Sequence, residues 1–379
     1  MAARYLPRLA LLAAATALPT LARAEPPTRQ VEEMTDHVEA ARETHRRSGR
    51  QLLVVPIPQS SPTLGSGITL VGALFYNPSQ EPEPWISGAG LMRTSNGSWG
   101  AGAMHKMSLG HDRFRAVAFA GYADINIEFF GIGPNAGSRG RSIELNEEGV
   151  AALVQGQMRV ADNLYAGARV QFLDLSTSIN RENPLFPDAE IPRREFDSRL
   201  VSIGPVVSYD TRDSSMNPSR GLFVQASWLF GAEWLGSDFD HDKFTINGNL
   251  YYPLTPSTVF AGRAALCGTS GLAPFYDLCL YGAQGDLRGY ETGRYRDRAS
   301  WAIQYEVRQH LFGRFGAVAF AGVGGTAPRL SDLGDSTVLP SAGFGLRYMV
   351  SRQNRVNLRV DFAVGRDSHA LYVSVGEAF

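Results

Sequence analysis

From Leu52 onward, apolar and polar side chains alternate residue by residue through most of the chain. Within 355–365, Val356, Leu358, Val360, Phe362 and Val364 fall on one face, and Asn357, Arg359, Asp361 and Ala363 on the other. Within 301–311, Trp301, Ile303, Tyr305, Val307 and Leu311 alternate with Ala302, Gln304, Glu306, Arg308 and His310. The same period recurs at 149–160, 164–176, 199–210, 221–230, 243–252, 338–349 and 369–379. A period of two held over such lengths predicts β-strands with one apolar and one polar face.

The segments between these strands come in two sizes. Short turns include Ala161-Asp162-Asn163, Pro253–Ser257, Phe312–Arg314 and Ser351–Asn354. Long polar or glycine-rich loops cover 126–148, 177–198, 231–242, 268–298 and 325–337. From about residue 113 to 355 the two sizes mostly take turns, as they do in a membrane barrel with tight turns at one end and long loops at the other. The expected fold is therefore all-β, a transmembrane antiparallel β-barrel over 51–379. Fifteen strands can be placed between Gly67 and Phe379. Bacterial single-chain barrels have even counts, so sixteen are expected, the last coming from Leu52–Ile57 or from 126–148.

Composition narrows the class. Charged residues make up 19% of the 379, below the ~25% usual for soluble domains. The 44% hydrophobic content argues against disorder. A net charge of −1 lacks the basic excess of a nucleic-acid binder. Residues 1–24 read as a secretory signal peptide: Arg4 and Arg8, a short apolar run from Leu9 to Leu18, and Ala22-Arg23-Ala24 before Glu25. Its removal takes three arginines and leaves 33 basic against 37 acidic side chains. Residues 25–50 read as a short polar periplasmic segment. Cys267 and Cys279 are the two cysteines; in an exported chain they form either a bridge across a short loop or two unpaired apolar residues.

The sharpest motif lies in the longest loop, Gly285-Asp286-Leu287-Arg288-Gly289-Tyr290. It resembles the VRGF/Y motif of the Omp85 superfamily, the bacterial surface-antigen barrels. Tyr209-Asp210-Thr211-Arg212-Asp213, with Pro218 and Gly221, resembles a periplasmic turn of that family. Ser341–Arg347 and Leu358–Asp361 resemble its late strands, and a terminal aromatic, Phe379, resembles its assembly signal. The resemblance implies a long loop folded into the lumen, with Arg288 at its tip held by carboxylates of the wall. Strand parity puts Glu306, Arg308, Arg347, Arg359 and Asp361 on the lumen face, and a guanidinium fork suits a carboxylate. Arg288 is thus expected to pair with Glu306 or Asp361. In the last strand, Leu371, Val373, Val375 and Phe379 share a face that Glu377 interrupts.

Two departures from the family stand out. Its F-x-D-x-G strand reads Phe320-Ala321-Gly322-Val323-Gly324 here, with glycine for aspartate. The stretch from Glu25 to about Gln51 is too short for one of its client-receiving POTRA domains, so the chain is expected to be a barrel-only member. The resemblance implies an outer-membrane role in inserting or translocating proteins or lipids. The partners implied are outer-membrane lipids, the barrel assembly machinery during biogenesis, and an unidentified periplasmic partner or client. The alternative is a passive or loop-plugged pore. No enzymatic motif stands out: G-x-S-x-G is absent and the histidines are scattered. No metal or cofactor is expected. Trp228, Trp234, Trp301 and Tyr348 are candidate interfacial aromatics.

Overall fold

The computed structural model describes residues 51–78, 85–179, 195–214, 217–282, 286–351 and 356–379. The expected signal peptide and polar segment, residues 1–50, lie outside the described residues. In chain order the strands are β1 (Gln51–Ser61), β2 (Gly65–Tyr76), β3 (Trp85–Thr94), β4 (Trp99–Leu109), β5 (Phe114–Phe129) and β6 (Ile143–Ala161). β7 (Leu164–Ile179), β8 (Asp197–Asp210), β9 (Gly221–Gly231), β10 (His241–Thr255), β11 (Thr258–Gly271) and β12 (Cys279–Tyr281) follow. Then come β13 (Tyr295–Asp297), β14 (Ala299–Phe312), β15 (Phe315–Ala327), β16 (Leu339–Ser351), β17 (Val356–Val364) and β18 (His369–Val375). Among the described residues, sixteen of these close into one antiparallel barrel; β12 and β13 form a separate hairpin inside the β11–β14 loop. The strand that completes the even count is β1, not part of 126–148.

The β5–β6, β9–β10, β11–β14 and β15–β16 loops project from one end, here called the loop end. The turns 162–163, 256–257 and 313–314, the longer 211–220 connection and Phe379 lie at the other, the turn end. This placement follows from an antiparallel meander with an even strand count.

The faces are the reverse of a soluble sandwich. On β14, Gln304, Glu306 and Arg308 are buried inward while Tyr305 and Val307 are exposed outward. On β16 and β17, Arg347, Arg359 and Asp361 are buried, whereas Phe344 (61%) and Leu346 (62%) stand open. An apolar belt outside and charges inside is the arrangement that lipid requires. Aromatic rings mark its edges. Phe315 meets both Phe312 and Tyr348 at the turn end, and Trp99 meets Tyr122 towards the loop end. Trp228 is exposed on β9, Trp234 sits in the β9–β10 loop, and the Trp301 indole donates to Ser336 Oγ at 3.0 Å.

Two loops expected from the sequence are shorter than their polarity suggested. β5 continues to Phe129 and β6 begins at Ile143, inside the expected 126–148 loop; β7 runs to Ile179. The period of two persists there, but the faces exchange roles. Asp124, Asn126, Glu128, Glu144, Asn146 and Glu148 alternate with Ile125, Ile127, Phe129, Ile143 and Leu145. The apolar set is buried in one cluster with Leu173, Leu175, Leu200, Phe239, Phe275 and Tyr276. These strand ends extend past the girdle of Trp99 and Tyr122, so their outer face meets water and their inner face packs against Phe239, Phe275 and Tyr276.

One junction differs from the rest. β1 pairs with β2 without a break from Gln51↔Phe75 to Ser61↔Gly65, and β17 with β18 from Leu358↔Val375 to Val364↔His369. Among the described residues β1 and β18 share a single pair, Ser60↔Val373. Pro56 and Pro58 occupy alternate positions of β1, so both missing N–H groups lie on the same edge, which sheets tolerate where an edge is unpaired.

Candidate functional site

The β11–β14 loop turns into the barrel and carries its tip to the wall. Its base is held by a disulfide between Cys267 on β11 and Cys279 on β12. Asp277, in the 3-10 turn Phe275–Asp277, lies 2.7 Å from Lys243 Nζ and 3.2 Å from His241 Nε2 on β10. Burial pushes the Asp277 carboxyl up, but the Lys243 charge and the His241 contact outweigh it and hold the group below its ordinary value. Deeper in, Tyr281, Tyr290 and Tyr295 meet edge to face, with centroids 5.2–6.2 Å apart. Such an aromatic cluster stiffens a loop that carries little secondary structure of its own.

Arg288 sits at the tip and is fully buried. Its Nη1 donates to Asp361 Oδ2 at 2.6 Å, and its Nη2 to Glu306 Oε2 at 2.5 Å. The guanidinium carbon lies 3.5 Å over the Phe320 ring. Gln304 Oε1 accepts from the Arg288 backbone N–H at 3.2 Å and from Nε at 3.3 Å, and the Ser341 hydroxyl donates to the Arg288 carbonyl. A buried charge is tolerable only when its donors are filled; here two carboxylates, an amide oxygen and a ring face share that task.

The neighbours of Arg288 are placed just as closely. Gly289 has φ +109°, and a Cβ there would stand 3.1 Å from both Ser341 Oγ and the Val364 carbonyl carbon. Its N–H donates to Tyr372 Oη at 3.0 Å. Tyr290 Oη donates to the Pro340 carbonyl at 2.5 Å and accepts from the Arg366 N–H at 3.0 Å. Asp286 is paired with Arg263 of β11 at 2.7 Å. Leu287 is fully buried against Gly322, where a Cβ would collide with its Cδ1. Gly322 is the position at which the family pattern has aspartate. In this chain it leaves room for the leucine, while the carboxylates come from strands on either side.

The ion pairs continue from the tip to the turn end. Asp361 Oδ1 is held by Arg347, whose Nε lies 2.7 Å from Glu377 Oε2; Arg359 Nη1 is 3.6 Å from Asp361 Oδ2. Glu306 Oε1 lies 2.5 Å from Arg308 Nε, and Arg308 Nη2 donates to the Phe379 carbonyl at 2.6 Å. Gly345 makes this possible, because a Cβ there would collide with Asp361 Oδ1.

At the turn end, Arg212 pairs with Asp210 at 2.8 Å and covers the Phe223 ring at 4.3 Å. Asp213 Oδ1 accepts from the Ser219 and Arg220 backbone N–H groups at 2.8 and 3.3 Å. Gly221 turns the chain with φ +110° into β9. The Pro218 carbonyl accepts from Arg308 Nη1 at 3.5 Å, so this turn and the lumen network meet.

The final strand differs from its expected form. β18 stops at Val375, Gly376 takes φ +92°, and the parity of the strand ends there. Glu377 does not interrupt the lipid face: its side chain is 3% exposed, in the lumen, between Arg347 and Asn357. Phe379 follows it inward, with its ring 5.6 Å from the Arg308 guanidinium. The sequence also passed over Gln304, Ser341 and Tyr372 as partners of the tip. Parity places Gln304 in the lumen, but nothing local says which lumen residues the loop will reach.

His310 lies away from this network, against the β14–β15 turn, 3.4 Å from the Gly313 carbonyl oxygen. A Ser–His contact does occur elsewhere: Ser87 Oγ lies 3.0 Å from His105 Nδ1 and 3.2 Å from Tyr76 Oη on the outer face near the turn end. Among the described residues no carboxylate orients that ring, so the third member of a nucleophilic triad is not in place.

Comparison with known proteins accords with this geometry. The family model described as the Omp85 superfamily domain matches residues 63–379. None of the curated proteins compared matches the chain. Among solved structures, BamA from Haemophilus ducreyi lacking POTRA domains 1–3 is 14% identical, with TM-score 0.56, over 87% of this chain and 70% of that one. CdiB from Escherichia coli is 12% identical, with TM-score 0.60, over 93% and 74%. CdiB from Acinetobacter baumannii is 10% identical, with TM-score 0.56, over 86% of this chain and 59% of that one. At these identities the likeness is one of fold.

Proposed function

The chain belongs to the Omp85 superfamily, and from that premise we propose that it is a bacterial outer-membrane barrel that inserts or translocates protein or lipid clients through its lateral seam. The turn end then faces the periplasm and the loop end the exterior. The loop lock keeps the lumen closed to free passage, and the work is done at the wall. No bond-making step is required of any residue, which makes the reading non-enzymatic.

The observation that carries this reading is the β1–β18 junction. One pair among the described residues, Ser60↔Val373, closes the wall at this junction, whereas the flanking junctions β1–β2 and β17–β18 are continuous ladders. Opening it sacrifices little hydrogen bonding and exposes a strand edge able to accept a client strand by β-augmentation. The exposed Leu52 and Val54 side chains of β1 already face outward beside that edge.

The test is to bridge the seam covalently with Ser60→Cys and Val373→Cys, then assay insertion of a barrel client into vesicles containing the purified protein. Loss of activity on bridging, restored by reduction, is expected. Full activity in the bridged barrel overturns the reading.

A further inference from the structure

The structure ties the end of the last strand to the loop lock through side chains shared by both. Arg288 occupies one oxygen of each of two buried carboxylates, Asp361 Oδ2 and Glu306 Oε2. Each remaining oxygen is held by an arginine that also holds the chain end. Arg347 bridges Asp361 Oδ1 to Glu377, and Arg308 bridges Glu306 Oε1 to the Phe379 carbonyl. The segment so restrained, 376–379, leaves β18 at Gly376 and runs into the lumen.

Its position matters because of the seam register. Continuing the antiparallel pairing from Ser60↔Val373 would set Ile57 opposite Gly376, Val55 opposite Ala378 and Val54 opposite Phe379. The tail held inside is thus the segment that would otherwise pair with the turn-end half of β1. Its confinement leaves that half without a partner from β18.

Resting on the seam reading above, we infer that the tail is a latch set by the loop: with Arg288 in place, residues 376–379 stay in the lumen and the seam stays short. Withdrawal of Arg288 releases them to extend β18 along β1. The cause is competition for buried carboxylates. When Arg288 leaves, Glu306 Oε2 loses its partner and Asp361 Oδ2 keeps only long contacts, to Arg347 Nη2 at 3.5 Å and Arg359 Nη1 at 3.6 Å, and a poorly partnered buried carboxylate is costly. Arg347 Nη2 already stands 3.5 Å from Asp361 Oδ2. Turning its fork to grip both oxygens is the stronger geometry and draws Nε away from Glu377. Arg308 can turn onto Glu306 in the same way and give up the Phe379 carbonyl. Glu377 is therefore a positioning residue, acting on the seam through Arg347.

A Val55→Cys, Ala378→Cys pair reads the latch directly, because the two sites meet only when the tail lies along β1. The full chain is purified in detergent, its native disulfide left intact, and the new bridge is formed with mild oxidant. Folding of each variant is checked by heat-modifiable migration. Bridge yield is expected to be low in the parent and several-fold higher with Arg288→Ala, Arg288→Lys or Glu377→Gln. Arg288→Ala combined with Glu377→Gln should give no more than either alone, since both release the same tail. Tyr372→Phe removes the direct contact between the tip and β18 and should leave the yield at the parent level. The latch is overturned if Arg288→Ala leaves the yield at the parent level, if the two effects add, or if Tyr372→Phe raises the yield as much as Arg288→Ala. The Ser60–Val373 bridge assay bears on the seam reading alone, so failure of either idea is separable from failure of the other.

Discussion

At the residue scale, the molecule concentrates its charge energetics on Arg288. Removing one member of a buried ion pair costs about 3–5 kcal/mol, because the partner stays buried and unpaired. Arg288→Ala leaves two such carboxylates, moderated by Arg308 and Arg347, and is expected to lower barrel stability by about that amount, read as a fall in the urea midpoint. Arg288→Lys keeps the charge but not the fork. An ammonium reaches Glu306 or Asp361 rather than both, so its midpoint should lie between parent and alanine variant; a parental midpoint would show that the bidentate geometry contributes nothing. Gly289→Ala tests the backbone beside it. At φ +109° an L side chain is strained by about 1–3 kcal/mol, so the loop should become more open to protease than in the parent. Unchanged cleavage would mean that the tip has slack. Of this detail the motif was legible in the sequence, and parity put Glu306 and Asp361 on the correct face. Engagement of both carboxylates was not legible, since Arg288 and Asp361 lie 73 residues apart and only closure of the wall brings them to one point.

At the element scale, the loop base and the strand ends decide how firmly the lock is presented. Asp277 is held below its ordinary value of 3.8 by Lys243 and His241 against the opposing effect of burial. A carboxyl whose folded value is depressed adds stability at pH above the unfolded value and loses it as pH falls through the folded one. Cleavage of the 272–298 loop by pepsin, normalised at each pH to cleavage of an unfolded substrate, should therefore rise as pH drops below about 4. Asp277→Asn should flatten much of that dependence, and an equal dependence in the variant would assign it to another group. The strands themselves were legible wherever the outer face meets lipid. They were misjudged at 126–148 because a strand that leaves the membrane exchanges its faces: Asp124, Asn126 and Glu128 turn to water while Ile125, Ile127 and Phe129 turn inward. Period alone carries no sign, so a polar outer face reads as loop until the lipid boundary is located.

At the scale of the whole molecule, a sixteen-stranded barrel is of the size that leaves an aqueous channel, and this one carries the tip of its own loop against the wall. The apolar cluster around Phe275 packs the loop against β5–β8, and the network around Arg288 ties its tip to β14 and β17. Deleting 280–296 removes the tip that reaches the wall. In planar bilayers the parent is expected to show little steady conductance and the deletion variant a much larger one. A parent with a large steady pore, unaltered by the deletion, would favour the passive-pore alternative over a seam-based role. On the proposed reading the seam acts laterally and the loop axially.

The sequence by itself determined the period of two, fifteen of the sixteen strands, the arginine motif of the long loop and the resemblance to the family. These are readable because strand parity is local: each side chain's face follows from its neighbours two residues away. Only the tertiary structure decided that Glu377 turns inward after Gly376, that Arg288 is shared between two carboxylates, and that β1 and β18 meet at one pair. Each of those depends on how far the wall is sheared when its first and last strands come together, a property of the closed barrel that no stretch of sequence carries alone.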